Sequence, residues 1–271
     1  MDIAYQSLSA GHWIALGASA QGAHHLQEGL PCQDAFGFRL VGDATLILAV
    51  ADGLGSAPRS ATGASLAVAT TLDWIEAQLT LTIPTQPAGW ETLVLEAFME
   101  ARAGLEQEAA LESLAISELA TTLLIVAVTP DLLVTGQVGD GAIVAMEQDG
   151  PLLTISPPQN GEYINETFSI TSPHPEDYAQ IVITPLKVDG LALFSDGMQR
   201  LALHLQDLSP HPPFFLPLFQ QLAGIQNGTE ASITLANFLS SERVNALTSD
   251  DKTLVLAKYT GPAITPRDEP G

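Results

Sequence analysis

The sequence predicts an α+β layered sandwich. Buried-strand patterns follow one another with only short turns between them, and helical patterns arrive in pairs instead of alternating one for one with strands. Regular βαβα alternation is absent, which disfavours a doubly wound sheet.

Along the chain, WIALGAS from Trp13 reads as a strand, followed by an irregular stretch, AQGAHHLQEGLPCQDAFG. TLILAV, Thr45 to Val50, is a short continuous apolar run suited to a buried strand. Ser60 to Leu79 carries apolar residues at helical spacing, and LTIPTQPAGW breaks it with two prolines. Glu91 to Leu114 resumes a helical pattern, with Leu93, Leu95, Phe98 and Leu105 as its apolar stripe. Strands return in ATTLLIVAVTP and DLLVTGQVGDGAIVAMEQDGPLLTIS, then in AQIVITPL and GLALFSDG after a polar region over 157–178 that reads as a substrate flap or lid. A proline-rich link, SPHPPFF, leads to helical segments at Leu216 to Leu222 and Thr229 to Ser241, and Thr253 to Lys258 is a last strand. No repeat or boundary divides residues 1–260, so they are expected to form one domain, with 261–271 a flexible tail.

At 271 residues the chain can bury roughly three quarters of its unfolded surface. The single cysteine, Cys32, excludes an intramolecular disulfide and a cysteine-rich zinc site. No secretion signal opens the sequence and no apolar run approaches the ~20 residues of a membrane span, so a soluble, cytoplasmic monomer is expected. Thirty-one acidic residues against nine Lys and Arg give a formal charge of −22. That balance repels nucleic acids and anionic membranes but can gather divalent cations.

Most of these carboxylates need no role beyond solubility. Asp-Gly is above all a turn signal, and Asp149-Gly150 and Asp189-Gly190 read as plain turns. Asp52 in LAVADG and Asp196 in LALFSDG are different: each ends a buried-strand pattern, and no return strand follows. A carboxylate there costs desolvation unless paired or coordinated, and few cations are near in sequence. Magnesium and manganese take such hard oxygen ligands, and a following glycine lets a carbonyl approach an ion. Asp34 in GLPCQDAFG, and Asp250 with Asp251 before the last strand, add acids at strand starts; Asp140 in VGDGAIV is either a hairpin turn or a further ligand.

In order, CQDAF, VADGLGS, ELATTLLI, VGDGAIV, LFSDGM and DDKTLVL resemble the motifs of the metal-dependent protein phosphatase 2C family, and CQDAF and GEYINETF resemble its bacterial branch. The resemblance spans nearly the whole chain. It implies a four-layer α-β-β-α sandwich, two central antiparallel sheets flanked by helix pairs, with metals at one end. It implies hydrolysis of phosphoserine and phosphothreonine in proteins by a water activated at a centre of two Mn2+ or Mg2+ ions, with a third, weaker site. Asp34, Asp52, Asp196 and Asp250 are then the catalytic and metal-binding acids, joined by the Gly53 carbonyl and, at the weaker site, by Asp140. The partner is a phosphorylated protein, with a cognate kinase.

Three positions depart from the pattern. Gln33 replaces the glutamate usual beside Asp34, keeping an oxygen ligand of lower charge. Asp251 stands where asparagine is usual. Gly29 occupies the place of the arginine that grips substrate phosphate, leaving His25, His24 or Arg59 as candidates for that task; a lone histidine is more often structural. These departures also motivate an alternative, a catalytically weak phosphatase-like module that binds phosphoproteins.

Overall fold

The computed structural model describes residues 2–159 and 167–262. In chain order the elements are strands β1 (Ile3–Ala10) and β2 (Trp13–Ala20), helix α1 (Ala23–Glu28), strands β3 (Asp34–Val41) and β4 (Thr45–Asp52), and helices α2 (Ser60–Leu81) and α3 (Pro87–Glu112). Strands β5 (Leu123–Thr129), β6 (Leu132–Val138), β7 (Ala142–Glu147), β8 (Leu152–Ser156), β9 (Gln180–Thr184) and β10 (Val188–Phe194) follow. Then come helix α4 (Gln199–Ala202), the two-residue strands β11 (Leu203–His204) and β12 (Ser209–Pro210), helices α5 (Pro212–Ala223), α6 (Gly228–Leu239) and α7 (Glu242–Asn245), and strand β13 (Lys252–Tyr259).

Two antiparallel sheets form the centre. One has the order β1-β2-β13-β10-β7-β8 and the other β3-β4-β5-β6-β9. The strands of both interiors are apolar on both faces because both faces are covered. Ile47, Ala49 and Ile125 of the five-stranded sheet pack beneath Val68, Leu72, Val94 and Phe98 of α2 and α3. Leu48, Val50, Leu193 and Val255 meet in the space between the sheets. Phe194, Leu254 and Leu256 turn outward from the six-stranded sheet onto Phe215, Phe219 and Leu235 of α5 and α6. The result is the expected four-layer α-β-β-α sandwich.

The differences from the sequence reading have local causes. β1 is an exposed edge strand, so it has no burial pattern to read. β3 lies in the stretch expected to be irregular; Gly37 and Arg39 dilute its signal, and a Cβ on Gly37 would stand 2.7 Å from Leu72 Cδ1 of the covering helix. The SPHPPFF link contains the first turn of α5, where a missing N–H costs nothing. Pro87 likewise opens α3 inside the expected break.

Two turn readings are corrected. Asp189-Gly190 lies within β10 at a register shift, and Asp189 pairs with Lys258 of β13. Val138-Gly139-Asp140-Gly141 is not a hairpin, since β6 and β7 belong to different sheets and the chain there crosses from one to the other. Of the expected flap over 157–178, residues 160–166, with most of GEYINETF, lie outside the described residues. Its end is fastened by Arg102, whose guanidinium donates to the Ile170 and Ser172 carbonyls at 3.0 and 2.6 Å. The residues after 262, which include nearly all of the expected tail, also lie outside those described.

Candidate active site

Antiparallel pairing brings distant acids to one end of the sandwich. Asp34 opens β3 directly opposite Asp52, the last residue of β4. In the other sheet Asp196 follows β10 and Asp250 precedes β13, and these two strands are neighbours. Asp140 sits on the crossing between the sheets. Asp52, Asp140, Asp196 and Asp250, together with Gly53, line one cavity of about 300 Å3, while Asp34 is buried at 9% exposure behind it.

The backbone around Asp52 is tightly held. Its N–H donates to Thr122 Oγ1 at 2.9 Å, and its carbonyl accepts from the Thr122 N–H at 2.8 Å and from Thr121 Oγ1 at 3.0 Å. This explains the two threonines just before β5. Gly53 is forced: a Cβ there would lie 2.8 Å from the Gln33 carbonyl oxygen and from Ser60, and its own N–H donates to that carbonyl at 3.1 Å. Gly197 is equally forced, because a Cβ would lie 2.0 Å from the Asp251 carbonyl oxygen. Ser195 Oγ donates to Asp34 Oδ2 at 2.7 Å and accepts from the Thr253 N–H at 3.0 Å, tying the two sheets together at the acids. Asp140 is set by Thr167, whose hydroxyl donates to Oδ2 at 3.0 Å, and by Gln199 Nε2, which donates to its carbonyl at 2.8 Å.

Asp251, one residue from Asp250, has a different role. It is 2% exposed; its Oδ1 accepts from the Gly22 N–H at 2.6 Å, and its Oδ2 accepts from the Gln33 N–H at 2.6 Å and from His25 Nδ1 at 2.9 Å. A carboxylate satisfied by three donors is a structural pin. It fixes α1, the Gln33-Asp34 entry to β3 and the start of β13 against one another. Beside it Lys252 is fully buried, with Nζ donating to Asn245 Oδ1 at 2.7 Å. Burial lowers its pKa, and the surrounding acids oppose that.

The site acids are driven the other way. Burial, then the negative charge of Asp251, holds the Asp34 carboxyl well above the usual range. Burial, then Asp34, Asp196, Asp140 and Asp250, raises Asp52 in the same manner. Burial, then Asp250 and Asp140, pushes Asp196 up to about 7, and burial raises Asp140. Asp34 Oδ1, Asp196 Oδ1 and Gln33 Oε1 are buried with no hydrogen-bond partner. Crowded carboxylates with orphaned oxygens and no arginine between them are what a hard divalent cation satisfies, so the donor set fits magnesium or manganese. The acids face a shared cavity without closing on it: among the described residues no three His, Cys, Asp or Glu side chains form a ready-made ligand shell.

The phosphate-gripping candidates separate. His25 and His24 both line the cavity. His25 is buried and bonded to Asp251, whereas His24 is exposed, 3.7 Å from Glu28. Arg59 turns to Glu112 of α3 at 3.5 Å and does not line the cavity. Gly29 caps α1 at φ 70°, a left-handed conformation that an arginine adopts only with strain. Burial and the charges of Asp34 and Asp251 hold the Cys32 thiol far above its usual range, so it is no nucleophile. Thr121, Thr122, Ser195, Gln199 and the pinning role of Asp251 escaped the sequence reading. Only the Thr-Thr pair before a strand and the serine before Asp196 left a trace in the sequence.

Comparison with known proteins identifies the family and the fold. A family model described as protein phosphatase 2C matches residues 21–240. A serine/threonine-protein phosphatase 3 of Escherichia coli (strain K12) is 35% identical over 257 residues, covering 91% of this chain and 98% of its own. Among solved structures, a serine-threonine phosphatase 2C from Toxoplasma gondii superposes with a TM-score of 0.61 at 11% identity, covering 95% of this chain and 99% of that one. RsbX in complex with magnesium superposes with a TM-score of 0.53 at 16% identity, covering 94% and 100%. These two establish the likeness of fold alone. The matched span takes in the first four acids, and the bacterial relative extends the likeness over nearly the full length, so the chain belongs to the protein phosphatase 2C family.

Proposed function

We propose that this protein hydrolyses phosphoserine and phosphothreonine in proteins at a centre of two manganese or magnesium ions. The family makes the chain a protein serine/threonine phosphatase. The two-ion centre is our reading, and it is carried by one observation: acids from both sheets converge on one cavity with Asp34 buried behind it, and Asp34 Oδ1 and Asp196 Oδ1 have no hydrogen-bond partner. The magnesium bound by RsbX supports the choice of ion.

Asp52 would serve both ions, the Gly53 carbonyl with Asp34 and Gln33 one of them, and Asp196 with Asp250 the other. Asp140 would hold a third, weaker one. Bound there, the ions supply an activated water and neutralise charge on the phosphoryl oxygens. The chain's own residues do the rest. Thr121 and Thr122 hold Asp52 in place through its backbone. Ser195 fixes the orientation of the Asp34 carboxylate by donating to Oδ2. Asp251 fixes the His25 ring at Nδ1, so that a histidine of set orientation lines the cavity in which the phosphoryl group would lie.

The test is turnover of a phosphoserine peptide with Mn2+ or Mg2+ added. Phosphate release that needs the cation and is lost in EDTA supports the reading. Release that survives saturating EDTA, or that persists in Asp52→Asn, overturns it.

A further inference from the structure

The carboxylate cavity continues beyond its acids. Asp196 and Asp250 also wall a second, polar cavity of about 610 Å3, bounded on its other side by Arg200 and Leu247. Arg200 and Leu247 in turn line a third cavity of about 380 Å3, walled by Phe214 and Phe238 and flanked by Arg243. Shared wall residues set the three side by side in one row across α4 and α7, from the acids to an aromatic pocket beside α5.

The charges along this run are distinctive. On a chain of charge −22, Arg39, Arg59, Arg102 and Lys258 are each paired with a carboxylate, and Lys252 is buried. Among the described residues Arg200 and Arg243 are exposed and have no acidic partner. Both lie on the run. An anionic polypeptide is repelled by most of this molecule, and here two free guanidinium groups meet it, Arg200 beside the acids and Arg243 at the aromatic pocket. The aromatic pocket has the opposite character. Phe214 packs edge-on to Phe215 with centroids 5.0 Å apart and lies 6.4 Å from Phe238, which leaves a firm apolar wall. Leu247 at 44% and Leu205 at 59% exposure add apolar surface at the mouth of the middle cavity.

We infer that this run of cavities is the docking groove for the substrate segment flanking the phosphorylated residue, reading an acidic side chain at Arg200 and Arg243 and an apolar one at the Phe214–Phe238 pocket. The inference rests on the phosphatase reading for the identity of its occupant. Two arginines that merely keep the surface soluble would show no such selectivity.

The experiment uses fluorescein-labelled phosphoserine peptides carrying Glu and Leu, or Lys and Leu, on either side of the phosphoserine. Anisotropy at low salt reads binding, and phosphate release with Mn2+ reads turnover. The acidic peptide is expected to bind about fivefold more tightly for each arginine engaged, the upper range for an exposed ion pair, and to lose that margin at high salt. Arg200→Glu with Arg243→Glu should invert the preference toward the lysine peptide, and the Arg→Lys pair should keep it; thermal melts confirm that each variant is folded. Equal binding of the two peptides, unmoved by the charge reversal, overturns the groove whatever the turnover. A retained binding preference with no hydrolysis of either peptide or of p-nitrophenyl phosphate would instead overturn the function proposed above, and leave the groove as a phosphopeptide-binding surface.

Discussion

The two ends of the sandwich treat the same dipeptide in opposite ways. At one end Asp52-Gly53, Asp140-Gly141 and Asp196-Gly197 follow strands whose chains go on to a helix or cross to the other sheet. Their carboxylates face one cavity and their pKa values rise. At the other end Asp149 turns a hairpin between β7 and β8 at φ 56°, and Asp189 forms an ion pair with Lys258. Asp149 sits in a turn that returns within one sheet and is exposed to water, and Asp189 is paired inside a strand. The chain after Asp52, Asp140 and Asp196 instead leaves its sheet, and the aspartate stays among its neighbours. What separates a site from a turn is therefore where the chain goes next.

That contrast can be tested from its strongest consequence downward. Asp52→Asn should lower phosphatase activity by at least ~100-fold, at or beyond the loss typical of supporting groups around a metal, while the fold persists in circular dichroism. Asp251→Ala should destabilise the protein by on the order of 3 kcal/mol in urea unfolding, because it strands buried donors on Gly22, His25 and Gln33.

The pH dependence of the cation-free protein comes next. Asp196 has its folded pKa raised to about 7 above an ordinary value of 3.8, so its contribution to stability is present at low pH and is lost as pH rises through about 7. The melting temperature in EDTA should fall by on the order of 5 °C between pH 5 and 8, and Mn2+ should restore it. A melting temperature that stays flat would mean the acids are not crowded as described.

At the far end the effects should be small. Asp189→Asn should cost no more than ~1 kcal/mol, as befits a partly exposed pair, and leave kcat unchanged. Asp149→Gly should stay within about 0.5 kcal/mol of the parent, since glycine accepts the left-handed turn. A drop in kcat in either variant would break the distinction between the ends.

The sequence made much of this legible. The layer order follows from apolar runs such as Thr45–Val50 and from the paired helical patterns, whose burial leaves a periodic trace. Asp52 and Asp196 stood out because no return strand follows them. What stayed hidden depends on contacts made across the chain. β1 is an edge strand with little to bury, and the β6–β7 connection looks like a hairpin until its strands are assigned to sheets. Asp251 and Asp250 are neighbours of one type, and only Gly22, His25 and Gln33, more than 200 residues away, make one of them a pin.

Although the Ser195 bridge and the β6–β7 crossing join the sheets at the acidic end, the carboxylates there give the molecule an uneven grip along its length. Apolar packing seals the middle of the sandwich, but at the acidic end negative charges borne by separate sheets push against each other. Chelation should therefore let that end breathe first. Amide protons at the close of β4 and the opening of β13 should exchange earlier than those at the centres of the same strands, and added cation should slow them, acting as a rivet between two plates that share no backbone ladder.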